Sequence, residues 1–190
     1  MVRYSPDHKE KTRNAIIDAA AERMRAGGLD AVGVAGIMAE CGLTHGGFYA
    51  HFASREALLV AAIERLFEKA TDGLSRFEDK YGDAALSRYV DFYLSPRHRD
   101  DLTIGCPIPM LAADVSRTGG DVKAAFDAGL DRLTEGLGQL MPQTGSKTGG
   151  KKAALALLGE MAGVLGLSRA MGDSRQSADL LAGKRKALTL

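Results

Sequence analysis

The stretch Asp30–Glu56, DAVGVAGIMAECGLTHGGFYAHFASRE, contains two short helical patterns separated by a turn. In the first pattern, apolar side chains recur at i, i+3, i+4 and i+7 and form one stripe on a helix: Val34, Ile37, Met38 and Cys41. Gly42 follows, and glycine accepts the left-handed backbone that a tight turn between helices needs. Thr44 stands where an N-cap belongs, with a side-chain oxygen for the free amides of a second helix.

The second helix of this stretch divides into an inner face and an outer face. Phe48 and Phe52 are four residues apart, so both point inward. His45 and Tyr49 have the same spacing but lie on a different face, beside small residues. Ser54 then caps the next helix. This is the layout of a helix-turn-helix, whose second helix offers small and polar side chains to a DNA groove.

The same residues resemble a known family. The segment Thr12–Ile63 is similar to the N-terminal domain of TetR/AcrR-type bacterial transcriptional repressors. The most specific elements of the resemblance are Tyr49, Phe52, Ser54, Arg55 and Glu56. The resemblance implies an all-α fold with an N-terminal three-helix helix-turn-helix domain over residues 1–57. The remainder, residues 58–190, is then a C-terminal helical bundle that binds a ligand and carries a pair of dimerisation helices.

The resemblance also implies which side chains meet double-stranded DNA. An N-terminal arm, the recognition helix and the start of the helix after it are expected to contact phosphates and base edges. The expected contacts are Arg3, Lys9, Lys11, Arg13, Thr44, His45, Gly46, Gly47, Tyr49, His51 and Arg55. His45 stands where the family usually has lysine, which removes a permanent charge. Ala35 and Gly36 stand where relatives often have arginine and aspartate, and Gly33 replaces the usual hydroxyl cap.

Charge gives this domain little general attraction to DNA. Met1–Ala57 holds seven Lys or Arg side chains and seven Asp or Glu side chains, so their net charge is zero. Phosphate neutralisation usually supplies most non-specific DNA affinity, so we expect modest non-specific binding that depends on local clusters. Pro6 and the polar run around it suggest an N-terminal arm that is disordered until DNA is present. The alternative to a DNA-contacting arm is a frayed, solvated tail.

Helical spacing predicts further helices along the chain. They are Lys11–Ala26, Ser54–Lys80, Ala84–Leu94, a short helix ending near Arg117, Asp121–Met141, Ala153–Met171 and Gln176–Ala187. Ser95–Thr103 and Pro142–Lys152 are predicted to be loops. His98, Asp100 and Asp101 are better interpreted as solvated side chains than as metal ligands, because no further ligand cluster accompanies them.

Nine side chains of the middle helices are candidates for an effector pocket: Phe67, Tyr89, Phe92, Tyr93, Cys106, Met110, Phe126, Leu130 and Met161. They are mostly apolar, which predicts an apolar or aromatic effector, although the same residues also suit a plain core. Cys106 precedes a helix that Pro107 begins, and the helix dipole is expected to lower the pKa of its thiol. The alternative is a small buried hydrophobic residue.

The last two predicted helices are suited to pairing between two copies of the chain. In the family that the chain resembles, these helices form a four-helix bundle with their copies in a second subunit, which implies a homodimer. The expected interface residues are Leu155, Gly159, Ala162, Gly163, Gly166 and Leu181. The alternative is an intramolecular core. Glu160, Arg169 and several glycines argue against a transmembrane interpretation of Ala153–Met171.

The predicted function is a ligand-responsive DNA-binding regulator, a repressor that a small apolar effector releases from a palindromic operator. No cofactor or metal is predicted, and no paired carboxylates or nucleophile–base arrangement indicates an enzyme. Two alternatives stay open: a cysteine-based redox or electrophile sensor that uses Cys106, and a helical small-molecule-binding protein with a degenerate DNA-binding domain. Two cysteines and a polar N-terminal segment, MVRYSPDHKEK, favour a cytoplasmic location with no membrane partner.

Overall fold

The computed structural model describes residues 6–141 and 147–188, and within those ranges the secondary structure is helical with no strand. This confirms the all-α prediction. The helices are α1 (Pro6–Gly27), α2 (Val34–Glu40), α3 (Arg55–Tyr81), α4 (Ala85–Tyr93), α5 (Pro96–Asp100), α6 (Ile108–Val115), α7 (Gly120–Leu140), α8 (Lys147–Ala170) and α9 (Ser174–Leu188). Short 3-10 helices span Leu29–Ala31, His45–Ala50, Gly82–Ala84 and Leu102–Ile104.

The start of α1 differs from the predicted disordered arm. The helix begins at Pro6 and includes Lys9, Lys11 and Arg13, because proline suits a first helical turn, where its missing N–H would have no partner. The Lys11 ammonium also pairs with the Asp7 carboxylate at 2.9 Å, one turn earlier. Arg3 lies outside the described residues.

The predicted loop at Ser95–Thr103 is also helical. The Ser95 hydroxyl accepts from the His98 amide at 3.1 Å and caps α5, which begins at Pro96. The Asp101 carboxylate caps the following 3-10 helix by accepting from the Thr103 amide at 2.9 Å. His98 is only 1% exposed, so the interpretation of that histidine as solvated was wrong.

The last part of the predicted loop Pro142–Lys152 belongs to α8, which begins at Lys147. The Lys151 ammonium pairs with two carboxylates of α7, Asp131 at 3.2 Å and Glu135 at 3.3 Å. These exposed pairs hold the first turns of α8 against α7 and explain the longer helix. Residues 142–146 lie outside the described residues.

Helix α3 is the central element of the fold. It packs most extensively against α7 and also contacts α1 and α4. Its contact with α7 depends on Gly129, where an added Cβ would lie only 2.3 Å from the Phe67 ring. Polar contacts join α3 to α1, where the Asp18 carboxylate accepts from Arg65 at 2.8 Å and from Lys69 at 2.9 Å.

The N-terminal unit, which runs from α1 to the first turn of α3, is also fixed to α6. The Asp114 carboxylate of α6 accepts from the Leu29 amide at 3.0 Å. Gly28, just before it, has a left-handed backbone with φ of 74°. A Cβ at that position would lie 2.2 Å from the Asp114 carboxylate oxygen. Only glycine therefore satisfies both the backbone conformation and the close approach.

We expect Gly129→Ala to lower the free energy of unfolding by about 1–3 kcal/mol, because the added methyl group would overlap the Phe67 ring. Gly138→Ala on the same helix is the matched control, since a Cβ there makes only ordinary contacts at 3.7 Å or more. Its higher helix propensity should raise stability by up to about 1 kcal/mol. Urea denaturation measures both, and equal effects of the two substitutions would contradict the prediction.

Candidate nucleic-acid interface

The turn between the two N-terminal helices forms as the sequence indicates. Gly42 has a left-handed backbone with φ of 69°, and the Leu43 amide donates to the Met38 carbonyl at 2.8 Å. Thr44 is the N-cap of the next helix, but its side chain makes no capping hydrogen bond. That helix, His45–Ala50, is a 3-10 helix of six residues, and we call it the recognition helix.

The recognition helix directs a polar surface outward and two phenylalanines inward. Tyr49 is 67% exposed, and His45 and Gly46 are exposed as well. Phe48 and Phe52 are buried, with their rings stacked at 5.6 Å between centroids. The Tyr49 ring lies edge-on to Phe48 at 5.4 Å. The core therefore fixes the position of this tyrosine, while most of its surface faces solvent.

The glycines of this unit serve two different purposes. A Cβ at Gly46 would meet nothing within 4 Å, and one at Gly47 would make only ordinary contacts at 3.6 Å. Internal packing does not require either glycine. A Cβ at Gly36 would instead lie 2.7 Å from the Arg23 guanidinium, whose Nε donates to the Glu40 carboxylate at 2.8 Å. Gly36 thus makes room for an ion pair between α1 and α2, for which the sequence has no local signal.

Basic and imidazole groups meet beside the recognition helix. Lys9 and Arg13 are exposed on α1, and the Arg13 guanidinium lies 4.8 Å from the Phe52 ring centroid. His51 is half-buried, and its Nδ1 has no hydrogen-bond partner in the structure. Burial lowers the pKa of His51, and the positive charges of Lys9 and Arg13 lower it further. The imidazole is therefore neutral at pH 7 and has an unused polar atom.

Arg55 has an internal role that differs from the predicted phosphate contact. Its Nε donates to the Val32 carbonyl at 2.8 Å, and its Nη2 donates to the Leu29 carbonyl at 2.7 Å. Both carbonyls belong to the connection between α1 and α2, which has no side-chain cap of its own at Gly33. The guanidinium fork therefore ties that connection to the start of α3.

A cavity of about 530 Å³ lies between α1, α3, α4 and the segment that contains α5 and Cys106. We call it the central cavity. Four of the predicted pocket residues line it: Tyr89, Phe92, Tyr93 and Cys106. The other lining residues are Glu22, Arg25, Lys69, Ala70, Gly73, Arg76, Phe77, His98, Thr103, Ile104 and Gly105. The lining is aromatic on one part and charged on another, so it differs from the mostly apolar pocket that was predicted.

The remaining predicted pocket residues do not line the central cavity. Phe67 and Phe126 are buried and meet edge-on at 5.3 Å between ring centroids. Met161 is fully buried, and Met110 and Leu130 are half-buried against the core. These five side chains are part of the hydrophobic core, which was the alternative interpretation of the set.

A buried histidine forms the end of the central cavity near α5. His98 Nδ1 lies 2.7 Å from the Tyr93 carbonyl, and its Nε2 accepts from the Cys106 amide at 3.0 Å. Because Nε2 accepts, Nδ1 carries the proton and donates, so the ring is neutral. Burial lowers the pKa of His98 to about 4. Among the described residues, no group of three or more His, Cys, Asp or Glu side chains is placed to hold a metal ion.

Cys106 does not have the lowered pKa that its position before α6 suggested. The residue is buried, and burial raises the pKa of its thiol. The Tyr93 hydroxyl, the Ile108 amide, and the Arg169 and Arg25 charges oppose that shift but do not overcome it. At neutral pH the thiol is therefore protonated, as expected for a small buried hydrophobic residue. Cys41, the other free cysteine, is half-buried.

Helix α8 exposes an apolar strip on the side away from the core. Leu155 is 47% exposed and Leu167 is 57% exposed, and they lie in register with Gly159 and Gly163. A Cβ at either glycine would meet nothing within 4 Å. Of the other residues predicted at an interface, Ala162 and Leu181 are buried within the chain, and Gly166 lies near Pro109.

The same helix is long and apolar enough to cross a membrane by length and composition alone. The relevant stretch is Gly150–Ala170, with a mean hydropathy of 1.3, and 33% of it is buried. The core helix of a soluble protein passes the same test. Glu160 in its middle pairs with Lys184 of α9 at 2.6 Å, which is a helix–helix contact within the bundle.

Comparison with known proteins identifies the N-terminal unit. Residues 16–62 match the family described as bacterial regulatory proteins, tetR family. No curated protein matches the chain. Solved structures match it over nearly their whole lengths, as in a TetR-family transcriptional regulator from Agrobacterium tumefaciens. That structure has 17% identity and a TM-score of 0.75, with 94% of this chain and 98% of that chain covered.

Two other solved structures are similar to the same degree. The reduced form of E. coli NemR has 19% identity and a TM-score of 0.74, with 91% of this chain and 94% of that chain covered. A TetR transcriptional regulator from Chloroflexus aurantiacus has 22% identity and a TM-score of 0.74, with 95% and 96% covered. At these identities the likeness establishes the fold, and the match at residues 16–62 supports the predicted resemblance.

We expect Arg55→Met to lower the free energy of unfolding by about 1–2 kcal/mol, because two carbonyls lose a charged donor. Lys9→Met is the control: this exposed side chain should change stability by less than about 0.5 kcal/mol while it reduces the salt dependence of DNA binding. Urea denaturation and DNA titrations at several salt concentrations measure both. If Arg55→Met instead weakens DNA binding and leaves stability unchanged, the internal role is wrong and Arg55 contacts phosphate.

Proposed function

We propose that this chain, which belongs by its residues 16–62 to the tetR family of bacterial regulatory proteins, is a ligand-responsive transcriptional repressor. It binds a palindromic DNA operator as a homodimer, and a small molecule in the central cavity releases it. The observation that carries the proposal is the exposed surface of the recognition helix. Tyr49 is the most exposed large apolar side chain among the described residues, and its edge-on contact with Phe48 leaves most of its surface available to a partner.

The DNA-facing surface in this proposal is compact. His45, Gly46, Gly47 and Tyr49 approach the major groove, with Thr44 and the half-buried His51 at the phosphates beside it. Lys9, Lys11 and Arg13 are the adjacent cations, and Arg3 lies in the segment before α1. An exposed face without bulky side chains at Gly46 and Gly47 permits the backbone to come close to base edges.

Dimerisation in this proposal uses the apolar strip of α8. Leu155, Gly159, Gly163 and Leu167 lie on one helical face, and the two glycines permit close approach of a second helix. Exposed surface of α9, including Gly183, completes a bundle of four helices in the dimer. A two-fold dimer presents two recognition helices that must enter successive major grooves, about 34–36 Å apart.

Release from DNA follows from the continuity of α3. The proposed DNA-binding domain, residues 1–57, ends within the first turn of α3, and the rest of that helix belongs to the proposed ligand-binding domain, residues 58–190. Lys69, Gly73, Arg76 and Phe77 of α3 line the central cavity. A ligand that binds one orientation of α3 better than another shifts the spacing of the two recognition helices. DNA and ligand then compete through one conformational equilibrium.

The two alternative functions have weaker support. A sensor based on Cys106 needs a reactive thiolate, whereas burial holds this thiol protonated; the fold likeness to NemR in its reduced form is its main support. A ligand-binding protein with a degenerate DNA-binding domain is supported by the zero net charge of residues 1–57. The outward-facing Tyr49 and His45 argue against it.

Selection of duplexes from a random pool tests the function. We expect the full-length chain to enrich a palindrome and to bind it with an affinity that falls steeply with salt. Tyr49→Ala should weaken that binding by about tenfold or more and leave the free energy of unfolding within about 0.5 kcal/mol. Tyr81→Ala, at the far end of α3, is the control and should not affect binding. No enriched sequence would favour the degenerate-domain alternative.

The dimer interface has a separate test. We expect Leu167→Glu to convert a dimer into a monomer, because it puts a charge on the apolar strip, at its most exposed leucine. Light scattering after size-exclusion chromatography measures the mass. Tyr81→Glu, a charge placed at another exposed apolar side chain, is the matched control and should remain dimeric. A wild-type chain that is monomeric would refute the proposed assembly.

A further inference from the structure

We propose that the central cavity binds an aromatic carboxylate, whose carboxylate group pairs with Arg25 and Arg76 and whose ring lies against the aromatic part of the lining. This inference rests on the proposed function only in that the ligand of the central cavity is taken to be the effector. It adds a carboxylate group to the apolar or aromatic effector that the sequence predicted.

The charged part of the lining carries an excess of cations. Arg25, Lys69 and Arg76 line the cavity, together with a single carboxylate, Glu22. The Lys69 ammonium already pairs with the Asp18 carboxylate at 2.9 Å. Arg25 and Arg76 form no ion pair with any described residue. The cavity thus presents two guanidinium groups without an ion pair to a described residue, although the charges of Glu22 and Asp101 act on Arg25 and raise its pKa against the effect of burial.

Arg25 is the unusual member of this pair. It is 8% exposed, and one of its terminal nitrogens donates to the Thr103 carbonyl. Its Nε has no hydrogen-bond partner in the structure. Glu22 lies one turn earlier on α1 but forms no ion pair with it among the described contacts. A buried guanidinium with a neutral acceptor and an unused donor is unfavourable unless a further anion reaches it.

Arg76 supplies the accessible half of the site. It lies on α3, is exposed, lines the cavity, and has no hydrogen bond or ion pair to a described residue. Guanidinium groups recognise planar carboxylates through two parallel hydrogen bonds. Arg25, on α1, lines the same cavity as Arg76, so the proposal has one carboxylate bind both guanidinium groups.

The rest of the lining favours a flat, uncharged ligand body. Phe77 meets Phe92 and Tyr89 at 5.5 Å between ring centroids. Burial raises the pKa of Tyr89 and of Tyr93, so both phenols stay neutral. His98 is neutral and uses both ring nitrogens internally. A volume of about 530 Å³ accommodates an aromatic ring system of drug-like size.

Three probes of similar shape and different charge test the proposal on the full-length chain in the absence of DNA: 2-naphthoate, neutral 2-naphthamide and cationic 2-naphthylmethylamine. The chain has no tryptophan, so naphthalene fluorescence reports binding without interference from that residue. We expect naphthoate to bind about tenfold or more tightly than either other probe. Equal binding of all three, preference for the cation, or no binding of naphthoate at millimolar concentration would overturn the proposal.

Substitutions locate the charge preference. Arg76→Gln should reduce the preference for naphthoate over naphthamide by about fivefold or more, and Arg25→Gln should do the same. Arg132→Gln, at an exposed arginine of α7 outside the cavity lining, is the matched control and should keep the full preference. Because Arg25 is buried, binding by the Arg25→Gln variant is interpreted only if thermal unfolding shows that this variant folds. If it does not fold, the variant at the exposed Arg76 decides the result. A full preference in Arg76→Gln would overturn the proposal.

The outcome is independent of whether the chain binds an operator. Naphthoate preference in a chain that enriches no duplex would leave this inference standing and refute the proposed repressor. Enrichment of a palindrome by a chain that shows no charge preference would do the reverse.

Discussion

The close packing of α3 against α7 is the constraint on which the other contacts depend. Phe67 of α3 fits against the bare backbone of Gly129, and this lets the two helices meet there without an intervening side chain from α7. Once α3 is fixed there, its first turn positions the N-terminal unit and its middle turns form a wall of the central cavity. Interiors packed at this density move as units and do not deform gradually. In the proposed function, a change at the cavity therefore reaches the recognition helix as a movement of α3 as a whole.

The N-terminal unit compensates for short helices with charged donors to backbone carbonyls. Helix α2 has seven residues and a glycine N-cap, and the recognition helix is a single 3-10 segment. Arg55 binds the two carbonyls before α2, and Arg23 ties its last turn to α1. These two arginines thus stabilise the unit itself, and their guanidinium groups are not available for contacts with DNA phosphates. This use of charge agrees with a DNA-binding domain whose side chains sum to zero.

Most of the fold could be predicted from the sequence, and much of the site could not. Apolar periodicity predicted the long helices, and Gly42, Phe48 and Phe52 indicated the helix-turn-helix, because these signals depend only on neighbouring residues. The roles of Arg25, Arg55 and His98 depend on carbonyls and amides far away in the chain, for which the sequence has no local signal. Phe67, Phe126 and Met161 are apolar whether they line a cavity or fill a core, so composition cannot separate the two. Helix α5 was not predicted, because its capping residue Ser95 stands before a run of charged residues that favoured a loop.

The contact between Asp114 and the Leu29 amide has an evolutionary consequence. It joins a side chain of α6 to a main-chain group of the N-terminal unit, at a point where Gly28 leaves no room for any other residue. A chimera that transplants residues 1–57 onto the body of a distant relative would retain the glycine and lose the acceptor. The reciprocal graft would bring a foreign side chain against the carboxylate. The two halves of this protein are therefore matched to each other at this contact, and a graft of either half onto a relative has to keep both the glycine and the carboxylate.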